Sequence, residues 1–163
     1  GQKVRMMGNP LFVDTMNAMG GNGIAMAYGE VFTALQTGVM DGQENPFTQI
    51  YSAKLQEVQK YLSLSGHVYT PAYLTVGTKK WEALPADVRK VLEETAKETQ
   101  AFVYQTAAKE ENGLLGKLRA AGMQVNDVDK DAFVAASKPI YEEFGKEVAG
   151  AKELIDRAVA LGQ

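Results

Sequence analysis

The sequence predicts an α/β protein. Short apolar runs that suit buried strands alternate with stretches of helical periodicity, and Gly-, Asn- and Pro-rich punctuation separates them. No run approaches the roughly 18 apolar residues that a membrane span requires. Val4-Arg5-Met6-Met7 reads as a strand closed by Gly8-Asn9-Pro10, a turn that also starts a helix with proline at its first position. Leu11, Phe12, Thr15, Met16 and Met19 recur at helical spacing until Gly20-Gly21-Asn22-Gly23 stops them. Ile24 to Ala27 is a second buried strand. A second helix carries Val31, Phe32, Leu35 and Val39 on one face, and a third carries Phe47, Ile50, Tyr51, Lys54, Leu55 and Val58. The polar run Asp41 to Pro46 separates these two helices.

From Lys60 to Val76 the chemistry is β-rich and extended. Trp81 marks a turn, and Pro85 introduces the longest helix, about Ala86 to Leu118. Its expected buried stripe is Val88, Val91, Leu92, Thr95, Thr99, Phe102, Val103 and Thr106, with Glu93 and Lys97 as an i,i+4 pair. Met123-Gln124-Val125 is a last strand after Gly122. Two helices close the chain, one with Phe133, Ile140, Tyr141 and Phe144, the other with Leu154, Ile155, Ala158 and Leu161. Pro139 is expected to break the former near Lys138.

With 163 residues the chain suits one domain or one lobe of a larger protein, and its opening Gly1-Gln2-Lys3-Val4 reads as if entered in mid-strand. That start points to removal of a leader and more, or to a fragment. Apolar residues make up 45% and charged residues 23%, the profile of a globular chain. Seventeen basic against 20 acidic residues give a net charge of −3, which leaves no basic footprint for nucleic acid or an anionic membrane. The absence of cysteine excludes disulfides, Cys-ligated metals and thiol catalysis.

Other chemistry fails on spacing. His67 is the single histidine, so a His-based metal site is not expected, and Ser63 and Ser65 lack the Gly-x-Ser-x-Gly elbow. Gly21-Asn22-Gly23-Ile24-Ala25-Met26 imitates a dinucleotide loop, yet Met26 replaces the third glycine and the run precedes a strand. Asp127, Asp129 and Asp131 alternate like a calcium loop, but Ala132 and Lys138 occupy its sixth and twelfth positions. They read as caps of the following helix. Neither a cofactor, a metal nor a catalytic role is expected.

Three residues leave two readings open. Arg5 lies in an otherwise apolar strand and needs an anionic partner, which is either a structural carboxylate or a ligand. Asn45 stands in a polar turn beside Asp41, Gln43 and Glu44, which either stabilises itself or recognises a ligand. Tyr28, at the end of a buried strand, is either core or the roof of a pocket. The cluster of Met6, Met7, Met16, Met19 and Met26 reads as adaptable core.

The gapless run Met26-Ala27-Tyr28-Gly29-Glu30 through Gln36-Thr37-Gly38-Val39-Met40-Asp41-Gly42-Gln43-Glu44-Asn45-Pro46 carries a resemblance. With Lys3-Val4-Arg5 before it and Glu57 to Leu62, His67 and Leu84-Pro85 after it, the chain resembles the C-terminal half of solute-binding proteins of tripartite ATP-independent periplasmic (TRAP) transporters, dicarboxylate type. The resemblance implies a two-lobed, periplasmic-binding-protein-like α/β fold, with a mixed sheet flanked by helices and a long lobe-spanning helix. Residues 1–70 and 111–163 would form the C-terminal ligand-binding lobe, and residues 71–110 would belong to an N-terminal lobe whose remainder is absent.

It also implies a periplasmic receptor, without catalysis, that closes on a small organic acid anion and serves a sodium-driven membrane permease. The acid is a C4-dicarboxylate or a related hydroxy, keto or sugar acid. Arg5 would grip the ligand carboxylate and Asn45 would share it. Tyr28 would pack over the ligand, Glu44 is a further site residue, and His67 would sit near the hinge strands. The missing N-terminal half, or a second copy, is an expected partner; nucleic acid and stable membrane insertion are not. Two rivals keep the same fold: a ligand-sensing domain of a signalling receptor, and a cleft enzyme using Glu44 or His67 as acid or base.

Overall fold

A computed structural model describes residues 1–162. Strand β1 (Lys3–Met6) is the middle of a three-stranded sheet, with β2 (Asn22–Ala25) on one side and β3 (Gly42–Gln43) on the other. Helix α1 (Pro10–Ala18) makes the crossover from β1 to β2. Asn9 caps it by accepting the Leu11 N–H at 2.9 Å, and Pro10 occupies the first turn, where its missing N–H costs nothing. A 3₁₀ turn (Tyr28–Glu30) and helix α2 (Val31–Gln36) then carry the chain across to β3.

Gly21 and Gly23 have a packing role. A Cβ on Gly23 would stand 2.9 Å from the Val13 carbonyl oxygen, and one on Gly21 would stand 2.8 Å from the Met16 sulfur. The run that imitates a dinucleotide loop is therefore the seat on which α1 crosses the sheet edge.

Helix α3 (Phe47–Ser52) follows β3, and β4 (Tyr61–Ser63) pairs with β5 (Gln124–Asn126) in a second, two-stranded sheet. Every strand pair among the described residues is parallel, so no antiparallel member of the expected mixed sheet is among them. Between β4 and β5 lie α4 (Thr78–Glu82) and the 35-residue helix α5 (Ala86–Ala120). The main core gathers Val31, Leu35, Ile50, Leu55, Leu62 and Leu118. It joins α2, α3 and the C-terminal end of α5 to the second sheet. Helix α6 (Lys130–Glu147) packs against α1 and against α7 (Ala151–Leu161). Asp129 caps α6 by accepting the Ala132 N–H at 3.0 Å, the helix-cap role expected of the loop aspartates.

Several expectations are corrected. The second helix stops at Gln36, Gly38 turns at φ 72°, and Val39 is exposed outside it. The third helix stops at Ser52, because Lys54 adopts the left-handed region at φ 57°; Leu55–Glu57 form a separate 3₁₀ turn. Residues 64–77 contain no strand; the ladder with β5 ends where the Leu64 N–H donates to the Asn126 carbonyl at 2.9 Å. The expected stripe from Val88 to Thr106 is exposed, and α5 buries Leu114 and Leu118 instead. The ion pair on its surface joins Lys90 and Glu94 at 3.9 Å, rather than Glu93 and Lys97. Helix α6 runs unbroken through Pro139. A proline inside a helix costs about 3 kcal/mol, which the packing of α6 on both α1 and α7 offsets.

Candidate functional site

The strand order 2-1-3 reverses direction between β1 and β3, and in open α/β sheets ligands collect outside the carboxyl ends of strands at such a reversal. Those ends carry Arg5, which stands opposite Gln43 in the register, and the segment Gln43 to Pro46. Topology alone thus selects the region that holds the motif.

Arg5 is 4% exposed. Its Nε donates to the Met26 carbonyl at 2.9 Å, and its Cζ lies 5.7 Å from the centroid of the Tyr28 ring. No acidic side chain approaches it within ion-pair distance among the described residues. The structural salt bridge that a buried guanidinium would call for is absent from them. The terminal nitrogens make no hydrogen bond there, so the two-pronged end of the side chain is uncommitted. Tyr28 is 44% exposed and is not core; its hydroxyl donates to the Gln49 carbonyl at 3.3 Å, which holds the ring beside Arg5.

Asn45 is half-buried, and its Nδ2 donates to Gln43 Oε1 at 2.6 Å. Glu44 Oε2 lies 3.7 Å from His67 Nε2, with both side chains largely buried. The other ring nitrogen, Nδ1, shares a 2.7 Å hydrogen bond with the Ser65 hydroxyl, while Nε2 is buried without a hydrogen-bond partner. Glu44, Asn45 and His67 line one cavity of about 670 Å³ that reaches Met16, Met19 and Phe133. Arg5 and Tyr28 do not line it. The predicted residues therefore form two groups, Arg5 with Tyr28, and Glu44, Asn45 and His67 around one cavity.

Two contributors were not singled out as site residues from sequence. Gln43 was visible within the polar run, but nothing local distinguished it from its neighbours. Glu111 had no signal at all: from the middle of α5 its Oε1 accepts the Phe47 N–H at 3.1 Å, satisfying the first turn of α3, which Pro46 leaves uncapped. The turn holding Asn45 is in this way tied to the long helix.

The family described as "Bacterial extracellular solute-binding protein, family 7" matches residues 1–147. A solute-binding protein of Chromohalobacter salexigens is 41% identical over 150 residues, covering 90% of this chain and 44% of its own length. A solved TRAP periplasmic solute binding protein from the same species, with bound D-glucuronate, superposes with a TM-score of 0.91 at 37% identity, over 96% of this chain and 52% of that one. A second, from a Polaromonas species and bound to D-erythronate, gives 0.85 at 40% identity, over 90% and 49%. The chain spans about half the length of the curated relatives it matches.

Proposed function

The chain belongs to the bacterial extracellular solute-binding protein family 7, and from that premise we propose that it is the C-terminal part of a periplasmic receptor for a small organic acid anion. The receptor closes two lobes on its ligand and delivers it to a TRAP membrane permease. Residues 1–70 and 111–163 form the ligand-binding lobe of this reading, and residues 71–110 belong to the other. The exposed side chains of Tyr73, Leu74, Val76, Phe102 and Val103 support that division, because apolar surface at this density suits a covering partner. No helix among the described residues is long and apolar enough to cross a membrane.

One observation carries the reading. Arg5 meets no acidic side chain among the described residues and leaves its terminal nitrogens without a protein hydrogen-bond partner, while its planar fork matches a carboxylate in two parallel hydrogen bonds. Arg5 is the ligand anchor, Asn45 shares the carboxylate, and Tyr28 roofs it. Glu44 and His67 approach each other at 3.7 Å and line the same cavity as Asn45. The ligand class favoured is a hydroxylated monocarboxylate of the uronate or aldonate kind, as held by the two solved relatives. Titration calorimetry of the two-lobed protein with D-glucuronate, D-erythronate and succinate tests this. Micromolar or tighter binding of a sugar acid is expected; no heat with any carboxylate, and no bound acid in native mass spectra, would remove the reading.

A further inference from the structure

We infer that Gln43 is the positioning residue that sets which end of the Asn45 amide meets the ligand, an inference that rests on the organic-acid reading above. A primary amide has two donor hydrogens at one end and an acceptor oxygen at the other. Turned one way it welcomes a carboxylate; turned the other way its oxygen repels one. Nothing in the turn backbone fixes that choice, and Pro46 has no N–H to offer. Gln43 does fix it. Its Oε1 accepts one hydrogen of Asn45 Nδ2 at 2.6 Å, so the nitrogen end is committed and the second hydrogen on the same nitrogen is left to donate.

The placement suits the role. Gln43 is the last residue of β3 and stands opposite Arg5 in the ladder, so the amide lock and the guanidinium are built on neighbouring strands of one sheet. Arg5 is itself held by the Met26 carbonyl through Nε, which leaves its terminal nitrogens free. Each ligand-facing group thus has one hydrogen bond spent on orientation and the rest available. Prior orientation of this kind reduces the ordering that binding must otherwise supply.

The test is a mutant cycle in the two-lobed protein, read by calorimetry with D-glucuronate and D-erythronate. Gln43→Met keeps length and volume but removes the acceptor, and should weaken binding about tenfold, the scale of one lost oriented hydrogen bond. In an Asn45→Ala background the same change should cost less than about twofold, and in an Arg5→Ala background it should keep its full effect. The Asn45 side-chain amide gives a second readout in the ligand-free protein. By NMR, the hydrogen bonded to Gln43 should exchange more slowly and lie further downfield than the ordinary inequivalence of a free primary amide gives, and Gln43→Met should return both hydrogens to free-amide values. Gln43→Ala repeats both readouts should Gln43→Met fold poorly. An equal loss in the Asn45→Ala background would make Gln43 a general scaffold residue and overturn the inference, as would wild-type affinity in Gln43→Met while Asn45→Ala still weakens binding. If Arg5→Ala and Asn45→Ala both bind normally, the organic-acid site lies elsewhere and the positioning role falls with it.

Discussion

At the scale of single residues, the site is a matter of what each polar group still has free. Arg5 spends one donor on Met26 and has a planar pair in reserve. Losing one partner of a buried pair typically costs about 3–5 kcal/mol, so Arg5→Ala in the two-lobed protein should weaken organic-acid binding at least a hundredfold by calorimetry. Arg5→Lys should also bind poorly, because a point charge cannot reproduce the fork. Unchanged affinity in Arg5→Ala would return Arg5 to a structural role. At Asn45, aspartate should be worse than alanine, since it sets a second negative charge against the anion. Equal losses would mean that Asn45 only shapes its turn. Arg5 and Asn45 were legible in the sequence because a charge in an apolar strand and a long polar run are local signals. Glu111 was not, since its partner Phe47 is 64 positions away and only the packing of α3 on α5 brings them together.

Among the elements, what was readable was the short-range pattern. The strand at Val4, the capped start of α1 and the cap of α6 all follow from neighbours within a turn or two, whereas the second strand lies at Asn22–Ala25 instead of Ile24 to Ala27 and, as a sheet edge, has no buried residue. What was not readable depended on the rest of the fold. The periodicity of α5 reports a face that suits burial, without saying what covers it, and most of that face is bare. Pro139 breaks an isolated helix, yet α6 is clamped along its length by two others. The Gly21–Gly23 seat of α1 is the sharpest case, because a motif-like run turned out to be a spacing device. Gly23→Ala forces a Cβ to 2.9 Å from a backbone oxygen and should destabilise the protein by about 1–3 kcal/mol, the range for overpacking. Gly29→Ala, which meets open space, is the control, and the denaturation midpoint is the measurement. Equal midpoints would show that α1 can shift aside without cost.

On the scale of the whole molecule, the chain holds together at one end and is bare at the other. The C-terminal part of α5 belongs to the core, while Tyr69, Tyr73, Leu74 and Val76 in the strandless segment and Phe102 and Val103 in the helix face outward; Leu74 is 87% exposed. The 163 residues alone should therefore associate with one another or with the rest of the protein, and should bind organic acids weakly or not at all. Sedimentation of the isolated chain decides the matter. A monodisperse 17.7 kDa monomer that binds an organic acid at micromolar concentration would contradict it.

The pairing of β4 with β5 has a consequence for the order in which the molecule can be built. Strands β1 and β2, with the helix between them, are complete within the first 25 residues and can assemble as soon as they are made. Strand β4 must wait, because Ser63 and its partner Asn126 are 63 positions apart with the whole of α5 between them. Closing so long a loop is slow relative to local contacts, and until it closes Tyr61–Ser63 is an open edge able to pair with another chain. The part of the lobe that bears Arg5 and Asn45 is thus an early assembly. The strand that leads to His67 joins only after β5 is made, and in that interval a growing chain is exposed to misassembly.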